Sequence, residues 1–428
     1  MIVSVRKSTF CMLLLLIHIS FSALIDLLRI PQVRTPADAN GAEYYALDFM
    51  GLVEQYGYRA ETHDVTTDDG YILTIGRVFP NVIDPNESDG HPAVFLQHGM
   101  ADTADSFVLF GPNMSLAYVL SDAGYDVWLG NLRGNTFSRR HTTLSPDDSQ
   151  FWDFSLDEYA TLDLPAMTDY VLNYTKQLSM TYVGYSIGAT IVSLLLAERP
   201  EYNEKIDLAM LLAPLCPWKT LTPARRALIR LIRLGKEVTP NGATEMSSQT
   251  ILLPLFFENV CMANNYTTIT MFCYSPLRFF LGVDGIQSTV ENMNLFTRYY
   301  PAGTSVKVAY YLLQQLDSGI TPRHFDYEDS RINLQRYGQS QPPIYNLSNI
   351  ITPMVLFSAP NDPLALKKDV DQYKKNFVNV KKLIDVPINY TDFSHLDFVT
   401  AKDAKKLVYN RLLEILNEFH RKGRSLVT

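Results

Sequence analysis

The sequence has little of what marks nucleic-acid-binding or metal-dependent proteins. Of its 428 residues only four are cysteine, and acidic residues outnumber basic ones by 45 to 37. The net charge of −8, without a basic stripe, argues against a nucleic-acid partner. No spacing of cysteine and histidine resembles a metal site, so we expect neither a metal nor a cofactor.

Apolar runs long enough to cross a membrane are also lacking. The run at residues 10–17 falls well short of the ~20 apolar residues that a bilayer requires. Because Arg6 and Lys7 precede this run and the small residues Ser20 and Ser22 follow it, residues 1–22 are predicted to be a signal peptide. The mature protein is therefore expected in the secretory pathway, extracellular or lysosomal, without a transmembrane segment.

The three cysteines beyond this segment and the glycosylation sequons fit an oxidising compartment. Cys261 and Cys273 are close enough in sequence to pair, which would stabilise the fold by about 3 kcal/mol in the chain-entropy model. Cys216 would then be a free, buried thiol. Candidate N-glycosylation sites occur at Asn86, Asn113, Asn173, Asn265, Asn346 and Asn389.

One stretch, residues 181–190, organises the chain. It contains the pattern G-x-S-x-G at Gly184, Ser186 and Gly188, after a short β-prone run and before an apolar helical run that ends ahead of Pro200. A strand that turns sharply into a helix at a serine is a nucleophile elbow, and its glycines leave room for the turn. Ser186 is therefore the candidate nucleophile.

Strands and helices alternate around this stretch, which predicts a parallel α/β sheet with right-handed crossovers. Residues 59–65 and 71–78 alternate in period two and predict a hairpin. Helical patterns cover residues 156–177 and 401–420. We expect a first part of the core at residues 23–213 and a second at residues 346–428.

Between these two parts, residues 214–345 show no regular alternation. Helical runs appear near residues 223–235 and 305–316, with many large apolar side chains between them. One interpretation is a second subdomain with its own packed core. The other is a cap that covers an apolar pocket and opens at a lipid surface, and the two are compatible.

A nucleophilic serine needs a base to accept its proton. In this architecture the chain order is serine, acid, histidine, and the groups lie in loops after strands. His395 alone occupies such a loop after Ser186, because His324 falls in the inserted segment and His420 near the end of the terminal helix.

The base in turn needs an acid to orient it. Asp362 directly follows a predicted strand and is the favoured candidate. Asp369, predicted on a helix, and Asp392, in the His395 loop, remain alternatives. Asp397 is expected to cap or pack beside His395.

An oxyanion hole requires two backbone donors. One is expected from Ile187, directly after the serine. The other is expected from the loop at His98, Gly99 and Met100, with Met100 N–H as the choice and His98 shaping the loop.

Many fragments in the same order resemble the acid lipase family of α/β hydrolases. The resemblance spans about residues 35–420 and is carried by Leu96-Gln-His-Gly-Met100, Val127-Trp-Leu-Gly-Asn-Leu-Arg-Gly-Asn135, Phe151-Trp-Asp-Phe154, Pro301-Ala-Gly-Thr-Ser305 and His395-Leu-Asp-Phe398. It implies an eight-stranded sheet, a largely helical cap between late strands, and hydrolysis of neutral lipid esters. It also implies catalysis by Ser186, Asp362 and His395, backbone donors at Met100 and Ile187, and a disulfide between Cys261 and Cys273.

The sequence departs from the family at three positions near the nucleophile. Tyr185 and Ile187 stand where the family usually has histidine and glutamine, and Met100 stands where it usually has leucine. Two other functions are therefore considered: a lipid-binding or storage protein that has lost its chemistry, and an esterase for small soluble esters. Covalent labelling of the serine separates the first from a lipase, and chain-length preference separates the second.

Overall fold

The computed structural model describes residues 28–40, 45–80, 91–262, 267–316 and 319–423. The predicted signal peptide and two of the sequon asparagines, Asn86 and Asn265, lie outside these ranges.

The described chain is built on one mixed sheet. Its eight main strands are β1 (Tyr58–Thr66), β2 (Tyr71–Pro80), β3 (Ala93–Gln97), β4 (Asp126–Gly130), β5 (Met180–Tyr185), β6 (Ile206–Leu212), β7 (Met354–Ser358) and β8 (Leu383–Pro387). Their spatial order is 8-7-6-5-3-4-2-1, and a two-residue strand, Arg140–His141, pairs with β2 as a ninth. Strands β3 to β8 pair in parallel, whereas β2 runs antiparallel to β1 and β4.

Burial along the strands follows their place in the sheet. All the residues of β3, β4 and β5 are buried, because helices cover both faces at the centre of a parallel sheet. The edge strand β1 has only two buried residues, Ala60 and Val65, and its other side chains are wholly or partly exposed. The predicted mostly parallel α/β fold is confirmed.

Helices flank the sheet and fill the segment between β6 and β7. They are α1 (Phe49–Glu54), α2 (Leu116–Asp122), α3 (Leu164–Thr175), α4 (Ile187–Glu198), α5 (Pro223–Val238), α6 (Leu252–Phe256), α7 (Thr267–Leu281), α8 (Val290–Thr297), α9 (Val306–Gln314), α10 (Ser330–Tyr337), α11 (Lys367–Tyr373) and α12 (Asn410–Arg421). One-turn π-helical segments precede α3, α7 and α12 at Tyr159–Asp163, Phe257–Met262 and Lys405–Tyr409. In the part of the chain that is described, no helix is long and apolar enough to cross a bilayer.

The segment between β6 and β7 is tied to the loop after β7 and to helix α11, and it carries a disulfide of its own. Arg225, fully buried near the start of α5, pairs with Asp369 and donates to the carbonyl of Pro363 at 2.9 Å. Cys261 and Cys273 form a disulfide within the segment. Cys216 is a free thiol whose burial raises its pKa to about 12, so it stays protonated and unreactive.

Candidate active site

Ser186 occupies a strained turn between β5 and α4. Its backbone has φ 56° and ψ −119°, a conformation that costs a non-glycine residue about 1–3 kcal/mol. A Cβ on Gly184 would lie 2.5 Å from the carbonyl of Gly188, and one on Gly188 would lie 2.5 Å from the carbonyl oxygen of Gln97. Both glycines of the motif are therefore required by close backbone approach.

The structure brings Ser186, His395 and Asp362 into one hydrogen-bonded chain. His395 Nε2 lies 2.9 Å from Ser186 Oγ, and His395 Nδ1 lies 2.7 Å from Asp362 Oδ2. All three side chains are buried, with relative exposures of 5%, 3% and 1% in that order. A serine, a base and an acid at these distances can activate the hydroxyl for nucleophilic attack.

The loops after β7 and β8 hold the acid and the base in place. Asp362 Oδ1 accepts from the backbone N–H groups of Leu364 and Ala365 at 2.8 and 2.7 Å, which leaves Oδ2 for the imidazole. The N–H of Asn361 donates to the carbonyl of Phe393 at 3.0 Å and joins the two loops. The imidazole orientation is therefore fixed from both sides.

The alternative acids have other roles. Asp369 accepts from Thr220 Oγ1 at 2.8 Å and pairs with Arg225 at the base of α5. Asp392 is exposed. Asp397 accepts from the N–H and the hydroxyl of Ser394 and from Ser288 Oγ, so it holds the backbone next to His395 rather than orienting the imidazole.

The alternative bases also lie in other surroundings. His324 sits between Asp157 and Glu198, at 3.4 and 3.3 Å, and these carboxylates raise its pKa against the opposing effect of burial. His420 packs against the ring of Tyr125.

The two expected oxyanion donors lie next to the nucleophile. Ile187 is the first residue of α4, where N–H groups have no intrahelical acceptor. Met100 lines the same cavity as Ser186. Within the described ranges, no protein group accepts a hydrogen bond from either N–H.

His98 sets the direction of the Met100 N–H. Its Nδ1 lies 2.7 Å from the carbonyl oxygen of Gly99, and its Nε2 accepts from the N–H of Leu132 at 3.2 Å, so Nδ1 carries the proton. Because a trans peptide points its N–H away from its C=O, the Met100 N–H is turned from His98. Burial lowers the pKa of His98 to about 4 and keeps the ring neutral.

Asp102 is a site residue that sequence reasoning missed. Asp102 lines the cavity, and its carboxyl accepts from Ser106 Oγ at 2.5 Å and from Thr103 N–H at 2.8 Å. His98 therefore holds the peptide group after Gly99, and Asp102 holds the part of the loop that follows, at Thr103 and Ser106. Burial raises the pKa of Asp102 to about 7.

We expect Asp102→Asn to lower kcat about tenfold with little change in KM. The amide keeps one acceptor oxygen but turns its N–H₂ group toward another donor, which disturbs the loop. We expect a smaller effect than the loss of a whole oxyanion-hole donor, which lowers kcat by about 10²–10³-fold. Steady-state kinetics on a soluble ester measure the effect. Ser106→Ala, which removes one donor and leaves the carboxyl group, should cost less than about fivefold; an unchanged kcat in Asp102→Asn would show that the loop does not need the carboxyl group.

The same substitution should change how stability depends on pH. Asp102 retains its proton in the folded chain up to about pH 7, whereas in the unfolded chain it loses the proton near pH 4. The folded chain thus binds the extra proton between these values, and the free energy of unfolding falls as pH rises through this window. Urea unfolding at pH 5 and pH 7 should show a smaller loss for Asp102→Asn than for the unsubstituted protein.

Tyr185 supports the base by a contact that the sequence did not predict. Its hydroxyl donates to the backbone carbonyl of His395 at 3.1 Å, and the two rings lie 5.4 Å apart. The side chain that departs from the family pattern is therefore built into the site.

Tyr185→Phe is expected to reduce kcat by less than about fivefold. The lost hydrogen bond contributes about 1 kcal/mol, and Asp362 still orients the imidazole. Kinetics on a soluble ester measure the change in kcat, and thermal unfolding measures the change in stability. A loss as large as that of a triad substitution would mean that Tyr185 takes part in the chemistry itself.

An apolar cavity of about 290 Å³ opens onto Ser186. Most of its wall comes from large apolar side chains of the segment between β6 and β7: Trp218, Leu228, Leu277, Phe280, Phe296 and Leu312. Ser186, His395 and Asp102 also line it. Such a cavity suits an apolar chain that ends in an ester group.

The chain is similar to known lipases over most of its length. Residues 92–229 match a family described as alpha/beta hydrolase fold, and residues 49–111 match a partial alpha/beta-hydrolase lipase region. It is 36% identical to Lipase 1 of Drosophila melanogaster over 86% of this chain and 79% of that protein. It is 35% identical to gastric triacylglycerol lipase of Bos taurus, with 87% and 92% covered.

A solved structure agrees at the level of the fold. A putative lipase from Sulfolobus solfataricus superposes with a TM-score of 0.55 at 14% identity, covering 85% of this chain and 95% of that one. At these identities to curated lipases and this coverage, the resemblance noted in the sequence is confirmed, and the chain belongs to the acid lipase family of α/β hydrolases.

Proposed function

We propose that this lipase hydrolyses the carboxylic ester bonds of neutral lipids, acylglycerols or sterol esters, with Ser186 as nucleophile, His395 as base and Asp362 as acid. The observation that carries the proposal is the continuous chain from Ser186 Oγ through the imidazole to Asp362, beside an apolar cavity that Ser186 and His395 line.

The first half of the reaction forms an acyl-enzyme. His395 Nε2 takes the hydroxyl proton as Ser186 Oγ attacks the ester carbonyl carbon. The carbonyl oxygen gains a negative charge, which the N–H groups of Met100 and Ile187 stabilise. The bond to the alcohol then breaks, and the alcohol leaves with the proton from Nε2.

The second half releases the fatty acid. A water gives a proton to His395 Nε2 and attacks the acyl carbon, and collapse of the intermediate returns that proton to Ser186 Oγ. Throughout, Asp362 Oδ2 accepts from Nδ1–H and stabilises the imidazolium without taking its proton.

The size of the cavity bears on how the substrate enters. At about 290 Å³ it is slightly smaller than the ~300–1,000 Å³ typical of ligand pockets, enough for part of an acyl chain but not for a whole acylglycerol. We infer that residues 214–345 act as a cap between two parts of the core, 23–213 and 346–428, and that the cap moves to admit a lipid from an interface.

We also infer that the protein is secreted or lysosomal. A secreted or lysosomal protein is expected to carry glycans on exposed asparagines, and Asn113, Asn173, Asn346 and Asn389 are all exposed. The disulfide between Cys261 and Cys273 favours the same oxidising route.

Hydrolysis of emulsified long-chain triacylglycerol and cholesteryl ester, compared with a soluble short-chain ester, tests the substrate class. We expect release of long-chain fatty acid from at least one emulsified substrate. Turnover of the short ester alone would indicate an esterase, and binding of lipid without turnover of any ester would indicate a storage protein.

A further inference from the structure

Helix α5 exposes two adjacent stripes of different character. With about 100° of rotation per residue, Arg226, Arg230 and Arg233 line up on one side, at spacings of four and three. Next to them lies an apolar stripe of Leu231, Leu234 and Val238, whose exposures of 56%, 65% and 81% are high for aliphatic side chains.

The arginine stripe is available to an external partner. Across the described residues, neither Arg230 nor Arg233 pairs with a carboxylate, while Arg226 donates to the carbonyl of Leu221. Glu237 is the one acidic side chain of the helix and is also exposed, so the stripe keeps a net positive charge. This local charge contrasts with the net charge of −8 of the whole chain, and it is a short basic stripe that was not expected from the sequence.

The opposite face of α5 fixes the helix beside the catalytic cavity. Arg225 anchors its first turn to Asp369 and to the carbonyls of Pro363 and Leu364, next to the acid of the triad. Leu228 lines the cavity. The exposed stripes therefore belong to the same element that forms one wall of the site.

We propose that the exposed face of α5 docks the protein on lipid surfaces that carry ionised fatty acids. Leucines inserted among acyl chains, with arginines at the level of the carboxylates, form the side-by-side pattern of an interfacial helix. The commitment to fatty acids rests on the proposed function, because ester hydrolysis at this cavity delivers carboxylates to the surface next to α5. Docking then strengthens as product accumulates.

Binding to vesicles tests the proposal without hydrolysis. The full-length Ser186→Ala protein is sedimented with phosphatidylcholine vesicles, with and without oleate, at a pH that ionises the oleate. Oleate should increase the partition coefficient at least about tenfold, since each arginine near an anionic surface favours binding. Raised ionic strength should reverse most of the gain. Absence of an oleate effect would overturn the proposal.

Paired variants separate the two stripes. In the same background, Arg230→Glu/Arg233→Glu should lose the oleate gain, and Leu231→Ser/Leu234→Ser should weaken binding to both kinds of vesicle. The control Arg411→Glu/Arg421→Glu makes the same charge change at exposed positions of α12 and should bind like its parent. Equal losses in the control and the α5 charge variant would contradict the assignment.

Activity distinguishes failure of this proposal from failure of the proposed function. With Ser186 intact, Arg230→Glu/Arg233→Glu should hydrolyse a soluble ester at the unsubstituted rate. Hydrolysis without oleate-dependent binding would overturn the docking proposal alone. Binding without any hydrolysis would leave docking intact and refute the lipase mechanism.

Discussion

Ser186→Ala is expected to lower kcat by about 10⁴- to 10⁶-fold on any ester that the protein hydrolyses. The substitution removes the oxygen that lies 2.9 Å from His395 Nε2 and leaves only binding and the oxyanion donors. Substrate binding should be unaffected, because the lost atom takes part in the bond-making step. Release of fatty acid from a long-chain ester measures the effect.

The backbone of Ser186 provides a matched control. Alanine keeps a Cβ at φ 56° and retains the strain, whereas glycine relieves it. Ser186→Gly should therefore be equally inactive but more stable than Ser186→Ala by about 1 kcal/mol. If Ser186→Ala retained a tenth of the activity, the nucleophile would have to be another group.

Asp362→Asn is expected to lower kcat by about 10⁴-fold. An amide at this position can donate to His395 Nδ1, which moves the imidazole proton to Nε2 and leaves no lone pair to accept the serine proton. The backbone N–H groups of Leu364 and Ala365 still have the amide oxygen as an acceptor, so the fold should survive. Kinetics and thermal unfolding of the purified variant measure both results.

Asp392→Asn is the matched control for this prediction. Asp392 lies in the same loop as His395 but is exposed. The kcat of the Asp392→Asn variant should therefore stay within about twofold of that of the unsubstituted protein. A large loss of kcat in Asp392→Asn together with a small loss in Asp362→Asn would indicate that Asp392, and not Asp362, is the acid.

Much of the site can be predicted from sequence because its signals are local. The elbow pattern around Ser186 predicts the nucleophile, and the chain order of an α/β hydrolase leaves few candidates for base and acid. The structure brings Ser186, Asp362 and His395 together at hydrogen-bonding distances.

Other features depend on contacts between distant segments. Asp102 shows no local pattern, because its part in the site follows from burial and from donors that the loop conformation brings to it. In the sequence, Arg225 resembles the other cations of an amphipathic helix. Its burial depends on its contact with Asp369, which lies 144 residues away. The hydrophobic periodicity of a sequence cannot reveal partners that lie so far apart in the chain.

Helix boundaries show the same limit. The helical pattern at residues 401–420 predicts one terminal helix, whereas the regular helix α12 begins at Asn410 after a π-helical turn at Lys405–Tyr409. Gln287, from the inserted segment, bonds to the N–H groups of Lys402 and Asp403 and occupies the donors at the expected start. Helix α7 was not predicted, since its apolar residues lack a clear period and Pro276 lies inside it.

Under the proposed mechanism, His395 and Asp362 make Ser186 a nucleophile. Reaction with a long-chain fluorophosphonate, followed by mass spectrometry of the peptides, tests it most directly. We expect a single adduct on Ser186 that is lost in His395→Gln. Labelling of a different residue, or equally fast labelling of Ser186 in His395→Gln, would contradict it.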